Sequence, residues 1–136
     1  MSIQHVWRKE NLPPGDLQLL EASNPSGVLR LTQANNQIDQ TTYFRNVVFS
    51  QLSWIKTQGK EMASASFNLV INGKVIGIFK LDISHKPSWE SNQSNYTTGL
   101  HWGQALPYIK DGELIGKTLS LYKADKEPFD YQINIA

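Results

Sequence analysis

The chain has 136 residues, 40% of them hydrophobic and 18% charged, which is enough apolar mass for one core and too little charge for a disordered tail, and which excludes most multi-domain enzymes. Thirteen Lys plus Arg against twelve Asp plus Glu leave a net charge of +1, so a surface for a polyanion has to come from local arrangement and not from bulk basicity. There is no cysteine, which removes disulfides, thiolate zinc sites and cysteine nucleophiles together and fits a reducing cytoplasm. Residues 1–26 read as an irregular linker or N-terminal extension ahead of a domain spanning 27–136. Their punctuation is Pro13-Pro14-Gly15 and Ser23-Asn24-Pro25-Ser26-Gly27, around a small apolar patch at Leu17, Leu19 and Leu20. The N-terminus carries no apolar run behind its charges, and no stretch reaches the roughly 18 apolar residues of a membrane span.

From Gly27 onward the periodicity is mostly two. Val28 to Thr32 and Val47 to Ser50 are weak strand candidates, and Gln40 to Asn46 gives a helical hint. Phe67, Leu69 and Ile71 alternate with Ser66, Asn68 and Val70, then Asn72-Gly73 predicts a hairpin, because both residues tolerate the positive φ of a type I′ turn. The returning strand sets Val75, Gly77, Phe79, Leu81 and Ile83 on one face. Tyr96 to His101 is a further weak strand, Gln104 to Lys110 a second helical hint, and Leu119 with Leu121, then Phe129 to Ile135, complete the strands. Period two with short marginal helices predicts a mostly β barrel or sandwich, since a parallel α/β sheet needs long crossover helices. Phe49, Trp54, Phe67, Phe79, Trp102 and Tyr131 are the expected core aromatics.

The motifs of common chemistries fail. Gly112 to Thr118 ends in Gly-Lys-Thr, but a phosphate-binding loop needs four residues between its glycines, and position 111 is Asp; the segment also leads into a strand, so it reads as a turn with Gly116 at positive φ. His5, His85 and His101 have no metal-ligand spacing, the carboxylates are single, and no Gly-x-Ser-x-Gly elbow occurs. The expectation is therefore a binding module with no catalytic site, metal or cofactor of its own.

The stretch from Ser84 to Tyr96 carries the most information. It reads Ser-His-Lys-Pro-Ser-Trp-Glu-Ser-Asn-Gln-Ser-Asn-Tyr and joins two strands that about 2 to 5 residues could connect. Its serines and amides offer donors and acceptors, Trp89 and Tyr96 rigid surface, and His85 and Lys86 positive charge, an inventory suited to base edges and phosphates. Read for its aromatics instead, the loop offers Trp89 and Tyr96 as the platform of a carbohydrate- or peptide-binding β-barrel.

Order and spacing then resemble a known family. Asn72-Gly73-Lys74-Val75, Trp89-Glu90-Ser91-Asn92-Gln93-Ser94-Asn95-Tyr96, Leu100-His101-Trp102 and Leu114-Ile115-Gly116 resemble the hairpin, recognition loop, tryptophan strand and final turn of the plant B3 DNA-binding domain. Leu29-Arg30-Leu31-Thr32, Asp39 and Tyr43-Phe44-Arg45 make the sequence more similar to the B3-like recognition domains of bacterial type II restriction endonucleases. It departs from the plant pattern in a loop one residue longer, in Lys117 where Asp is usual, and in Leu114 lying one place nearer Gly116.

The resemblance implies a seven-stranded open β-barrel, the DNA-binding pseudobarrel, with one or two short helices and two arms that grip the major groove. It further implies sequence-specific binding of double-stranded DNA as the targeting part of a restriction endonuclease, with the nuclease domain elsewhere in the full-length chain. The first arm falls at about Thr32 to Asp39, where Thr32, Gln33, Asn35, Asn36 and Gln37 supply groups for adenine edges and Asp39 an acceptor for cytosine. The second falls at His85 to Asn95, with His85, Lys86, Ser88, Trp89, Glu90, Ser91, Asn92, Gln93 and Asn95 as contact candidates. Arg30, Arg45, Lys80 and Lys86 are the cations nearest the arms in sequence, suited to phosphates or guanine.

Overall fold

The computed structural model describes residues 2–12, 28–31, 43–57, 59–86, 98–125 and 128–136. Its strands are β1 (Ser2–Lys9), β2 (Val28–Leu31), β3 (Ile55–Thr57), β4 (Lys60–Ile71), β5 (Lys74–His85), β6 (Thr98–His101), β7 (Leu119–Asp125) and β8 (Tyr131–Ile135). The predicted hairpin is present. Asn72 and Gly73 take φ of 51° and 80°, the signs a type I′ turn requires, and β4 and β5 run antiparallel from Ile71 opposite Lys74 down to Glu61 opposite His85.

The fold is a mostly β, strongly curled open half-barrel. Strand order is β1-β7-β8-β4-β5-β6-β2, and β3 pairs with the opening residues of β4. All pairings are antiparallel except β4 with β8. The curl has local causes. Register shifts between His5 and Trp7 in β1 and beside Leu69 and Val70 in the β4–β5 pair insert bulges, which increase twist and help a sheet bend around a core.

Alternation decides what that core contains. Ala63, Ala65, Phe67 and Leu69 of β4, Leu81 and Ile83 of β5, and Tyr131, Ile133 and Ile135 of β8 are buried, and Trp7, Leu29, Leu31, Leu100, Leu119 and Leu121 join them from the other strands. Near the hairpin the expected face of β5 is corrected: the bulge sets Val75 opposite Val70, where it stays exposed, and Ile76 packs against the core instead, while Phe79 is only partly buried.

Two short segments close the core. A helical turn at Phe44–Val48 stands where the sequence suggested a strand from Val47, because Phe44 and Val48, four apart, are both buried and demand helical spacing. Phe44 meets Trp7 edge-on at 5.5 Å. The turn is pinned to the barrel by Tyr131 Oη donating to the Val48 carbonyl at 2.7 Å and by Tyr43 Oη donating to the Val6 carbonyl. The second closure runs through short turns at Gly103–Ala105 and Leu106–Ile109, at the second helical hint of the sequence, and buries Trp102, Ala105 and Ile109. Gly116 has φ of 83°, the turn expected in place of a phosphate loop.

One expectation is corrected. Residues 2–12 are not linker: β1 pairs along β7, Trp7 is fully buried, and Leu12 exchanges backbone hydrogen bonds with Gly116 and Lys117 at 2.9 Å each. Residues 13–26 lie outside the described residues. No helix among the described residues is long and apolar enough to cross a membrane.

Candidate nucleic-acid interface

Register places one row of residues across five strands at one rim of the sheet. Leu31 opposes Thr98, Thr98 opposes His85, His85 opposes Glu61, and Glu61 opposes Lys56. Leu31 is the last residue of β2, Thr98 the first of β6 and His85 the last of β5, so residues 32–42 and 87–97 both connect to this rim. Two strand spacings separate Leu31 from His85, about 10 Å.

The rim is built to hold its shape. His85 is 3% exposed, and its Nδ1 lies 2.9 Å from Thr98 Oγ1; on the opposite face of the sheet His101 Nε2 lies 3.0 Å from Ser84 Oγ. Burial pushes both imidazoles below the usual histidine range; Glu61 opposes this shift at His85 and Arg45 adds to it, while at His101 Asp82 opposes and Lys60 adds. Both rings are thus neutral clasps across β5 and β6 near neutral pH.

Near His85, Arg45, the second residue of the helical turn, is held from two sides. Its Nε and Nη2 donate to the two carboxylate oxygens of Glu61 at 3.2 and 3.0 Å, and its guanidinium carbon lies 4.5 Å from the centroid of the Trp54 ring. Trp54 is itself fixed by Nε1 donating to the Phe49 carbonyl at 2.9 Å, and it meets His85 edge-on at 6.2 Å. The Arg45 hydrogen bond holds the Glu61 carboxyl below the usual range, with the charges of Arg45, His85 and Lys56 acting the same way against its partial burial.

Comparison with protein-family models, with curated proteins and with solved structures returns no match.

The sequence candidates divide accordingly. Thr32, Gln33, Asn35, Asn36, Gln37 and Asp39, and Ser88, Trp89, Glu90, Ser91, Asn92, Gln93 and Asn95, lie outside the described residues. Arg30 lies in β2 opposite Gly99, one residue from the rim row. Arg45 is at the rim, as an ion pair. Lys86 follows directly on His85 and is half-buried. His85 is corrected from a contact residue to a buried clasp, since its ring faces Thr98 and carries almost no exposed surface. Lys80 is exposed and away from the rim row: it sits five residues up β5, about 17 Å along the strand, where it opposes Ser66 and borders a polar depression lined also by Gln51, Ser53, Ser64 and Asp130.

Glu61 and Thr98 were not singled out by sequence reasoning. Thr98 meets His85 through strand register and Glu61 meets Arg45 by the packing of the helical turn, thirteen and sixteen residues apart, and no local spacing signals such a pair. Trp54, expected in the core, is half-buried and spends one face on Arg45. Among the described residues no group of three metal-binding side chains occurs.

Proposed function

We propose that this chain recognises double-stranded DNA in a sequence-specific manner, with residues 32–42 and 87–97 as the two arms. The observation that carries the reading is the common rim: segment 32–42 leaves it from Leu31 of β2 and segment 87–97 spans β5 to β6 on it, with Leu31 and His85 about 10 Å apart, within the span of a major groove about 12 Å wide. The amides of Gln33, Asn35, Asn36 and Gln37 in one segment and of Asn92, Gln93 and Asn95 in the other suit direct reading of base edges. Arg45, Lys56, Lys60 and Lys86 surround the rim with cations for phosphates. The open β-barrel is also the architecture that the likeness to B3 domains implies. On that likeness the chain serves as the targeting domain of a restriction endonuclease whose catalytic domain lies elsewhere in the full-length protein.

The test is selection from a randomised duplex pool followed by incubation of the selected DNA with the purified chain and magnesium. Enrichment of one motif, bound and left uncut, is the expected result. Failure to enrich any motif would sink the recognition claim, and reproducible cleavage would overturn the assignment of catalysis to another domain.

A further inference from the structure

Arg45 presents an arrangement that goes beyond a surface ion pair. A guanidinium has five N–H donors in a rigid plane, and the fork to Glu61 takes one from Nε and one from Nη2. Among the described residues, neither Nη1 donor nor the second Nη2 donor has a partner, on a side chain that keeps 24% of its surface exposed. One face of the plane is closed by Trp54 and one edge by Glu61, so the remaining edge has a fixed direction. Its place is the junction of both proposed arms: Tyr43 is the first described residue after segment 32–42, and Glu61 opposes His85 at the root of segment 87–97.

We infer that Arg45 binds a DNA phosphate through its free Nη edge, and that Glu61 and Trp54 are positioning residues that hold the guanidinium ready for it. The inference rests on the DNA-recognition reading and deepens it. It also explains why a carboxylate stands on a rim that faces a polyanion. By charge alone Glu61 opposes binding, and its removal would strengthen association. By orientation it does the reverse, because a guanidinium ordered before binding loses less freedom when the phosphate arrives.

The two effects have opposite signs, so one substitution separates them. Kd is measured for a selected duplex and a scrambled duplex at several salt concentrations, with wild type, Glu61→Gln, Arg45→Lys, Arg45→Ala and the Arg45→Ala/Glu61→Gln double variant, each checked by thermal melting. Glu61→Gln is expected to weaken both duplexes alike, by about tenfold, although it removes a negative charge. Arg45→Lys, which keeps the charge and loses the fork and the stacking plane, is expected to weaken them to a similar degree. Arg45→Ala lowers the salt slope by about one unit, and adding Glu61→Gln to it causes no further loss, since only the charge effect of Glu61 remains.

Tighter or unchanged binding by Glu61→Gln overturns the positioning role, and so do additive losses in the double variant. A loss confined to the selected duplex overturns the phosphate assignment. Should Glu61→Gln fail to melt cooperatively, wild-type affinity in Arg45→Lys overturns the inference by itself. Absence of duplex binding by the wild-type chain removes the DNA reading as a whole, a result distinct from all of these.

Discussion

Two histidine rings near one edge of the sheet carry a pH dependence whose sign follows from their surroundings. His85 and His101 are held below the ordinary histidine range, chiefly by burial, so between that range and their folded values the unfolded chain binds protons that the folded chain does not. Stability is therefore fully present above about pH 6.5 and is lost as the pH falls below it. The Glu61 carboxyl, lowered by its bond from Arg45, contributes stability that disappears only at more acid pH, below the ordinary carboxylate range of about 4.3. The double variant His85→Asn/His101→Gln keeps a polar atom near each ring nitrogen that is bonded and cannot titrate. Its melting temperature should fall less than that of wild type between pH 7 and 5. An equal fall in both proteins would show that these rings do not carry the dependence.

Elements explain which parts of the fold were legible in the sequence. The β4–β5 hairpin was, because Asn72-Gly73 is a local signal and the apolar alternation of β4 runs unbroken through Ala63, Ala65, Phe67 and Leu69. β1 was not: the bulge between His5 and Trp7 breaks its period, leaving Ile3 and His5 exposed while Trp7 is buried, so no amphipathic pattern survives to be read. Val47-Val48 suggested a strand by its branched side chains, yet only Val48 is buried and Val47 is 55% exposed, since helical spacing to Phe44 sets the face. For the candidate site, the long connection after His85 was legible from its length and content, whereas the Arg45–Glu61 fork depends on the packing of the helical turn against a rim whose register no local pattern contains.

The same register yields a prediction about an element. His85 and Thr98 are directly opposed, so replacing residues 86–97 by Asn-Gly closes a two-residue hairpin between strands already in place. The shortened protein should melt cooperatively and lose its preference for the selected duplex. Loss of folding would make the connection structural, and retained preference would remove the second arm from recognition.

At the scale of the molecule, charge and shape divide the work. A net charge of +1 leaves few phosphates to be neutralised, and the cations near the rim number only a handful, one of them already paired with Glu61. On the proposed DNA-recognition reading, specific affinity then draws heavily on contacts to base edges, for which the amides of segments 32–42 and 87–97 are suited. The sheet provides the rigid part: an edge where two strands end and one begins, clasped by the buried His85 and backed by a helical turn that Tyr131 of β8 bonds at the Val48 carbonyl.

The measurement that bears most directly on DNA recognition is a titration of a duplex selected from a random pool, beside a scrambled one, at several salt concentrations. The selected duplex should bind at least 1,000-fold more tightly than the scrambled one, in keeping with specific readout, and its log affinity should fall against log salt with a shallow slope of about −3 to −5. Equal affinity for both duplexes, or binding indifferent to salt, would contradict it.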